Sequence, residues 1–177
     1  EILRMLQDLL GQDHLLTLLP DNILLVFLGL GDRDEAEQFL EKLLETSETV
    51  KGKLLNYLGY SWVDQGLNLK RAIDLIRKAV KLKPDDGYFV DSLGWAYYRL
   101  GQYEKAAKEL ERAVELRPED PVINDHLGDA YWRVQRFLEA KYQWSQALTL
   151  KPEPDDEAKI KAKIAGGLSA GEDAAAV

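Results

Sequence analysis

The sequence predicts an all-α superhelix of stacked helix-turn-helix repeats, and two observations carry this prediction. First, small residues and prolines recur with a fixed period of 34 residues. Their positions are Ala72, Ala106 and Ala140; Ala79, Ala113 and Ala147; and Pro84, Pro118 and Pro152. Second, apolar residues between these markers follow the spacing of amphipathic helices. A fixed period of this length is typical of a stacked array, in which each repeat buries its apolar face against its neighbours.

Each repeat is predicted to contain two helices joined by a short turn. The first helices are Lys51–Asp64, Asp86–Arg99 and Pro121–Val134, and the second helices are Leu69–Leu82, Tyr103–Leu116 and Phe137–Leu150. Each second helix ends before a proline, which cannot continue a helix. Gly59 and Gly94 are 35 residues apart, whereas Gly94 and Gly128 are 34 residues apart. The extra residue predicts a longer turn inside the first helix pair.

The register is disturbed in the region 1–50, where we expect N-terminal helices with a degenerate repeat. In the regular repeats, the proline precedes the first alanine of the next second helix by 22 residues. Pro20 precedes Ala36 by only 16 residues. Either this repeat has a truncated first helix, or residues are missing between Pro20 and Gly31.

The rest of the chain is predicted to divide into three parts: regular repeats over 51–154, a capping helix at 155–167 and a disordered tail at 168–177. The capping segment starts with acidic residues and continues with lysines, an order that suits a helix dipole. A repeat array exposes an apolar end unless a polar helix covers it. The tail is rich in alanine and glycine and has no apolar period, which favours disorder.

The repeat pattern resembles the tetratricopeptide repeat. In the central repeat, the residues that match this family are Gly94, Tyr97, Ala106, Leu110, Ala113 and Pro118. The resemblance implies a right-handed superhelix whose concave surface is lined by the first helices. The region 51–150 also resembles the C-terminal repeats of long proteobacterial tetratricopeptide proteins, some of them envelope lipoproteins that act as adaptors or scaffolds. That resemblance implies a periplasmic or outer-membrane-associated protein, with a cytoplasmic location as the alternative.

The resemblance also implies which first-helix residues face a partner. The candidate partner-binding residues are Asn56, Tyr57, Tyr60, Asp64, Tyr88, Asp91, Trp95, Tyr98, Arg99, Asp125, His126, Asp129, Trp132 and Arg133. Six of them are Tyr or Trp, which are frequent anchors of binding hot spots, and we expect this aromatic face to be accessible. Alternatively, these aromatic residues pack between neighbouring first helices or against the tail.

The charged candidates constrain the kind of partner. Arg99 and Arg133 could pair with a partner's carboxylate or with Asp64 and Asp129. In some tetratricopeptide domains, lysines, asparagines and an arginine clamp a C-terminal carboxylate. This chain has acidic or aromatic residues at most of the corresponding positions, so we do not expect such a clamp. The groove suits a neutral or partly basic protein surface instead.

Several other functions are not expected. The net charge is −8, and no basic stripe is present that would favour nucleic acid. The chain has no cysteine, and no apolar run is long enough to span a membrane. No cofactor-binding or catalytic motif appears, so we expect neither a cofactor nor an enzyme. His126 lies near Asp125 and Asp129, which could indicate a metal ligand or general base, but a solvated groove histidine is the favoured interpretation.

The sequence therefore predicts a protein-binding adaptor or scaffold that captures a protein or peptide in its concave groove. Recruitment of a periplasmic protease or cell-wall enzyme follows only from the narrower resemblance. The alternative is a structural scaffold that self-associates through its ends or through its leucine-rich N-terminal portion, 1–30. Homo-oligomers that disappear when 1–22 is deleted would favour this alternative. Turnover that is lost in His126→Ala would indicate an enzyme.

Overall fold

A computed structural model of the chain describes residues 48–168, and side chains from residue 52 onward. This part of the chain consists of seven α-helices and contains no strand. They are α1 (Glu48–Asp64), α2 (Leu69–Leu82), α3 (Gly87–Arg99), α4 (Tyr103–Leu116), α5 (Pro121–Arg133), α6 (Phe137–Thr149) and α7 (Pro154–Gly166). The predicted N-terminal helices, the degenerate repeat and most of the predicted tail lie outside the described residues. The fold described below belongs to the second of two compact units, Leu55–Val177.

The six helices predicted for the regular repeats are all present. The largest difference in bounds is at α1, which begins at Glu48 rather than at Lys51. Side-chain caps define two of the other starts. Asp86 accepts a hydrogen bond from the backbone N–H of Tyr88, and Asp120 accepts from the N–H groups of residues 122 and 123. Such caps satisfy donors that have no partner within the helix.

The helices stack in chain order. Within the described repeats, α3 packs on α4 and α5 packs on α6, while α2 contacts α3 and α4 contacts α5. The first helices α3 and α5 also contact each other directly, and α7 packs on α6. This order gives the all-α helical-repeat superhelix that the sequence predicts. None of the described helices combines the length and the apolar character that a bilayer span needs.

Close helix pairing depends on a glycine at the same place in each first helix. A Cβ atom added at Gly59 would lie 2.5 Å from Cγ1 of Ile76, and one at Gly94 would lie 2.6 Å from Cγ of Leu110. At Gly128 the added atom would overlap the indole ring of Trp144. Because these partner side chains are fully buried, they cannot move aside. These glycines and Trp144 therefore have a structural role in the helix pairs.

The turns inside the helix pairs require left-handed backbone. The α1–α2 turn spans four residues, 65–68, whereas the α3–α4 and α5–α6 turns span three, which confirms the longer first turn. Gly101 has a φ of 69° in the second turn. In the third turn the equivalent residue is Gln135, with a φ of 64°. A side chain in this region costs about 1 kcal/mol or more relative to glycine.

Replacing Gln135 with glycine should therefore stabilise the protein. We expect the free energy of unfolding to rise by about 0.5 kcal/mol, because the relieved backbone strain exceeds the extra entropy of glycine in the unfolded chain. The side chain of Gln135 is exposed, so no buried packing is lost. Urea unfolding followed by circular dichroism measures the change. The matched variant Gly101→Gln should lower stability, and a Gln135→Gly protein less stable than wild type would contradict the prediction.

Candidate partner-binding groove

A groove of about 650 Å³ lies between the first helices and the C-terminal helix. From the first helices its lining includes Tyr60, Asp64, Trp95, Val122 and His126. From the C-terminal segment its lining includes Asp156, Lys159, Ile160, Lys163 and Leu168. The predicted capping helix α7 is thus one wall of the groove, in addition to covering the end of the array. We call this space the groove.

The structure brings six of the fourteen candidate residues together in the lining of the groove. These six are Tyr60, Asp64, Trp95, Asp125, His126 and Asp129. The other eight lie outside the lining and are Asn56, Tyr57, Tyr88, Asp91, Tyr98, Arg99, Trp132 and Arg133. Whether any of them touches a partner stays a prediction.

A stack of three rings crosses the first helices. Trp95 is stacked on Tyr98 with ring centroids 4.8 Å apart, and on His126 with centroids 4.1 Å apart. Tyr98 is 1% exposed, so the expectation that it is accessible is wrong. The alternative prediction, that the aromatic residues pack between neighbouring first helices, describes Tyr98. Trp95 is half-buried and leaves part of its ring in the groove. Since two stacked neighbours restrain its ring, Trp95 is a rigid surface element.

His126 is part of a buried ion pair. Its Nδ1 atom lies 2.8 Å from Oδ1 of Asp91, and both residues are less than 9% exposed. Burial alone would lower the pKa of His126, but Asp91, with Asp125 and Asp129, outweighs it and the pKa is raised. The expectations of a solvated histidine and of an accessible Asp91 are therefore wrong, because the two residues join α3 to α5 below the groove surface. Among the described residues, no cluster of side chains could hold a metal ion.

The two candidate arginines are held by neighbouring repeats. Arg99 donates from Nη1 to the backbone carbonyl of Asp64 at 3.1 Å. Arg133 donates from Nε to the hydroxyl of Tyr98 at 3.1 Å. Of the two alternatives for Arg99, pairing with Asp64 is therefore the one observed. The contact is with the backbone carbonyl of Asp64 and not with its carboxylate. The carboxylate of Asp129 has other partners.

Lys163 of α7 fills the acidic end of the groove. Its Nζ atom donates to both oxygens of Asp125, at 2.9 and 2.8 Å, and to Oδ2 of Asp129 at 2.8 Å. The remaining oxygen of Asp129 accepts from Nε1 of Trp144 at 2.9 Å. Asp129 is 4% exposed, so a partner cannot readily reach this carboxylate, contrary to the expectation of an accessible acid.

The network has a clear electrostatic signature. Burial raises the pKa of Asp129 to about 6, although Lys163 opposes the shift. Burial would lower the pKa of Lys163, but Asp129 and Asp125 outweigh it, so the pKa is raised. Sequence reasoning missed Lys163, whose charge was assigned to the helix dipole. Two groove-facing acids four residues apart, Asp125 and Asp129, were the signal that a cation lies nearby.

The end of α7 covers Trp132. Gly167 has a φ of 75°, and a Cβ atom added there would overlap the indole ring of Trp132. The same indole contacts Phe137 and Trp144, with ring centroids 4.6 and 5.5 Å away. Ile160 of α7 is 1% exposed. Trp132 therefore supports the end of α7, which belongs to the predicted capping helix rather than to the predicted tail.

The remaining candidates lie along α1 and at the start of α3. Asn56 donates from Nδ2 to Oγ of Ser92 at 3.1 Å, which links α1 to α3. Tyr57 is half-buried. Tyr88 is exposed, and the guanidinium carbon of Arg117 lies 4.9 Å from its ring centroid. Tyr88 is thus accessible, as expected, but outside the groove.

Comparisons with known proteins find the same repeat. A family model described as TPR repeat matches residues 94–135, and one described as tetratricopeptide repeat matches residues 21–49. A TPR repeat-containing protein of Pseudomonas aeruginosa is 45% identical over 56 residues, or 32% of this chain. The matched part is only 10% of that relative.

Solved structures with a similar fold include proteins of different kinds. The first TPR of Spaghetti (RPAP3), bound to an HSP90 peptide, has a TM-score of 0.55 and 25% identity, over 65% of this chain and 94% of that one. The Yersinia enterocolitica type III secretion translocator chaperone SycD has a TM-score of 0.62 and 18% identity, over 70% of this chain and 88% of that one. The Arabidopsis OM64 TPR domain has a TM-score of 0.61 and 16% identity, over 69% of this chain and 100% of that one.

Removing the cation of the buried network should destabilise the array. We expect Lys163→Met to lower the free energy of unfolding by about 3 kcal/mol, because it leaves two carboxylates without their partner. Lys161→Met is the matched control, since Lys161 is exposed and pairs only with Glu157 in the described structure. The control should change stability by less than about 0.5 kcal/mol. Urea unfolding measures both, and equal losses would show that the buried network is not the cause.

The His126–Asp91 pair should make stability depend on pH. Because the folded-state pKa of His126 is raised, its contribution is fully present below the unfolded pKa of about 6.5 and is lost as pH rises through the folded pKa. Wild type should therefore exceed His126→Gln in stability by more at pH 5.5 than at pH 9. His14 is present in both proteins, so the comparison isolates His126. A difference in urea midpoint that does not vary with pH would contradict the linkage.

Proposed function

We propose that this chain, a tetratricopeptide repeat protein, is a non-catalytic adaptor or scaffold that binds a protein or peptide in the groove. The observation that carries the proposal is the half-buried pair Tyr60 and Trp95 beside Val122, which is 45% exposed. Apolar surface is thus accessible in a concave site with a charged rim. Aromatic side chains in such a setting are typical anchors of binding energy.

The rigidity of the site supports binding. Trp95 is fixed by two stacked neighbours, and the wall formed by α7 is fixed by Lys163. Ordering side chains on association costs free energy, so a surface that is already ordered binds more tightly for the same contacts. His126 is only 8% exposed, so a substrate would have little access to its imidazole, which supports a non-catalytic role.

Structural relatives support a protein partner, and the charges of the groove disfavour one type of ligand. The RPAP3 domain is bound to a peptide ending in Glu-Glu-Val-Asp, and SycD is a chaperone of secreted translocators. The groove of this chain has the carboxylates of Asp64 and Asp125 in its lining. Carboxylates would repel an acidic peptide end, so we infer a partner of a different charge.

The finer role follows from the narrower resemblance. We propose that the protein is periplasmic or outer-membrane-associated and recruits a protease or cell-wall enzyme of the envelope, with a cytoplasmic location as the alternative. The 45% identical segment belongs to a TPR repeat-containing protein of Pseudomonas aeruginosa, which supports a bacterial relative with this type of repeat. The chain spans about a tenth of that relative, so its activity is not transferred.

Self-association is a second candidate function, and one observation favours it. Leu138 is 86% exposed and Tyr142 is 60% exposed on α6. They are four residues apart, so they lie on one face of the helix. Light scattering over a range of concentrations would reveal homo-oligomers, and Leu138→Glu/Tyr142→Glu would separate them if this face is responsible.

The adaptor proposal is tested by affinity capture from native envelope and cytosolic extracts, read by mass spectrometry. The variants are Trp95→Ala and Val122→Glu, the second of which changes an exposed groove residue without opening the core. We expect each to lose the partner, since an aromatic anchor contributes about 2 kcal/mol, or roughly thirtyfold in affinity. Circular dichroism checks folding.

Leu67→Glu is the matched control for Val122→Glu, because Leu67 is exposed to the same extent and lies outside the groove lining. It should retain the partner. Identical captures by wild type and by both groove variants would rule out the groove as the binding site.

A further inference from the structure

We propose that the groove selects a basic segment of the partner, with a lysine or arginine side chain directed to the carboxylate of Asp64 beside Tyr60 and Trp95. This inference rests on the proposed function, because it names the chemistry of the partner at the same groove. It gives Asp64 the direct contact and leaves Asp125 and Asp129 with a structural role.

The charges of the lining are unevenly compensated. Its carboxylates belong to Asp64, Asp125, Asp129 and Asp156, and its ammonium groups belong to Lys159 and Lys163. Lys163 is bound by Asp125 and Asp129. The Nζ atom of Lys159 lies 2.8 Å from Oδ1 of Asp156. Both lysines of the lining are therefore already paired, and His126, the remaining lining residue that can carry a positive charge, is paired with Asp91. Asp64 is the acid of the lining left over.

Asp64 is exposed at the C-terminal end of α1. Its carboxylate forms no ion pair within the described part of the chain. Arg99 lies nearby but donates to the backbone carbonyl of Asp64, as cations do at the negative end of a helix dipole. A partner's cation would thus find the carboxylate available.

Tyr60 reports the acids near this end of the groove. Its pKa is raised to about 12, first by burial and then by Asp91 and Asp64, while Arg99 opposes the shift. The phenol therefore stays protonated and can donate a hydrogen bond. Complementary charge at an interface guides encounter and discriminates against wrong partners.

An intramolecular contact shows how carboxylates of the groove bind a lysine. Asp125 and Asp129, one helical turn apart on α5, bind the ammonium group of Lys163 through three contacts of 2.8–2.9 Å. On α1, Tyr60 and Asp64 have the same four-residue spacing, with an aromatic ring in place of the first acid. A ring beside a carboxylate suits a cation, and the apolar stem of a lysine can lie along such a ring.

The test uses three fluorescein-labelled twelve-residue peptides of alanine, glycine and leucine that differ only at four positions, which are all Lys, all Gln or all Glu. Binding to the full chain is followed by fluorescence anisotropy. We expect the Lys peptide to bind about tenfold more tightly than the Gln peptide, and the Glu peptide most weakly. We expect Asp64→Asn to weaken the Lys peptide by about tenfold, which is the effect of roughly 1.4 kcal/mol, and to leave the Gln peptide unchanged.

Matched charge reversals separate a direct contact from the net charge. Asp64→Lys and Glu115→Lys change the net charge equally, but Glu115 is exposed on α4 and outside the lining. Only Asp64→Lys should abolish binding of the Lys peptide. Equal losses in the two variants, preference for the Glu peptide, or no binding of the Lys peptide would each overturn the proposal.

The proposed function is tested separately. If Trp95→Ala and Val122→Glu still lose the captured partner while the peptide series shows no preference for lysine, the groove binds a partner and the basic segment is wrong. If these variants keep the partner, the adaptor site is wrong.

Discussion

The position of α7, and with it the shape of the groove, depends on one buried ion network. Lys163 reaches back over the third repeat to Asp125 and Asp129, and Asp129 also accepts from Trp144 in the core of that repeat. Burying these charges separately would cost several kcal/mol each, so they are tolerated only together. The network therefore couples the covering of the array's end to the packing of its last helix pair.

The repeat architecture supplies the rigid base for this network. Glycines of the first helices admit a large side chain of the second helix, and the last of these is Trp144. That tryptophan fills the space over Gly128 and presents its indole N–H to Asp129. The position that fills the space over the glycine in every repeat thus also forms a hydrogen bond in the third repeat. Trp144 therefore contributes both to the steric fit of the helix pair and to the hydrogen bonding of the buried carboxylate.

The binding surface that results is narrower than a bare array of first helices. Tyr98 and Asp91 lie in an internal layer that joins successive repeats, with His126 between this layer and the groove lining, while Tyr60, Trp95 and Asp64 remain at the groove. The proposed partner would therefore meet a preformed aromatic and acidic surface with a helical wall opposite. We expect such a surface to discriminate by charge as well as by shape, because its own lysines are already paired.

The sequence by itself determined the described helices, their order and the glycine contacts, because helical periodicity is local and the 34-residue repeat carries the same packing from pair to pair. It also indicated six of the residues that line the groove. It could not decide which of them a partner can reach. That depends on contacts between residues far apart in the chain: Lys163 binds acids 34 and 38 residues earlier, and His126 binds Asp91 35 residues earlier. The tertiary structure alone decided that Asp125 and Asp129 bind Lys163 and that, among the described residues, the carboxylate of Asp64 forms no ion pair.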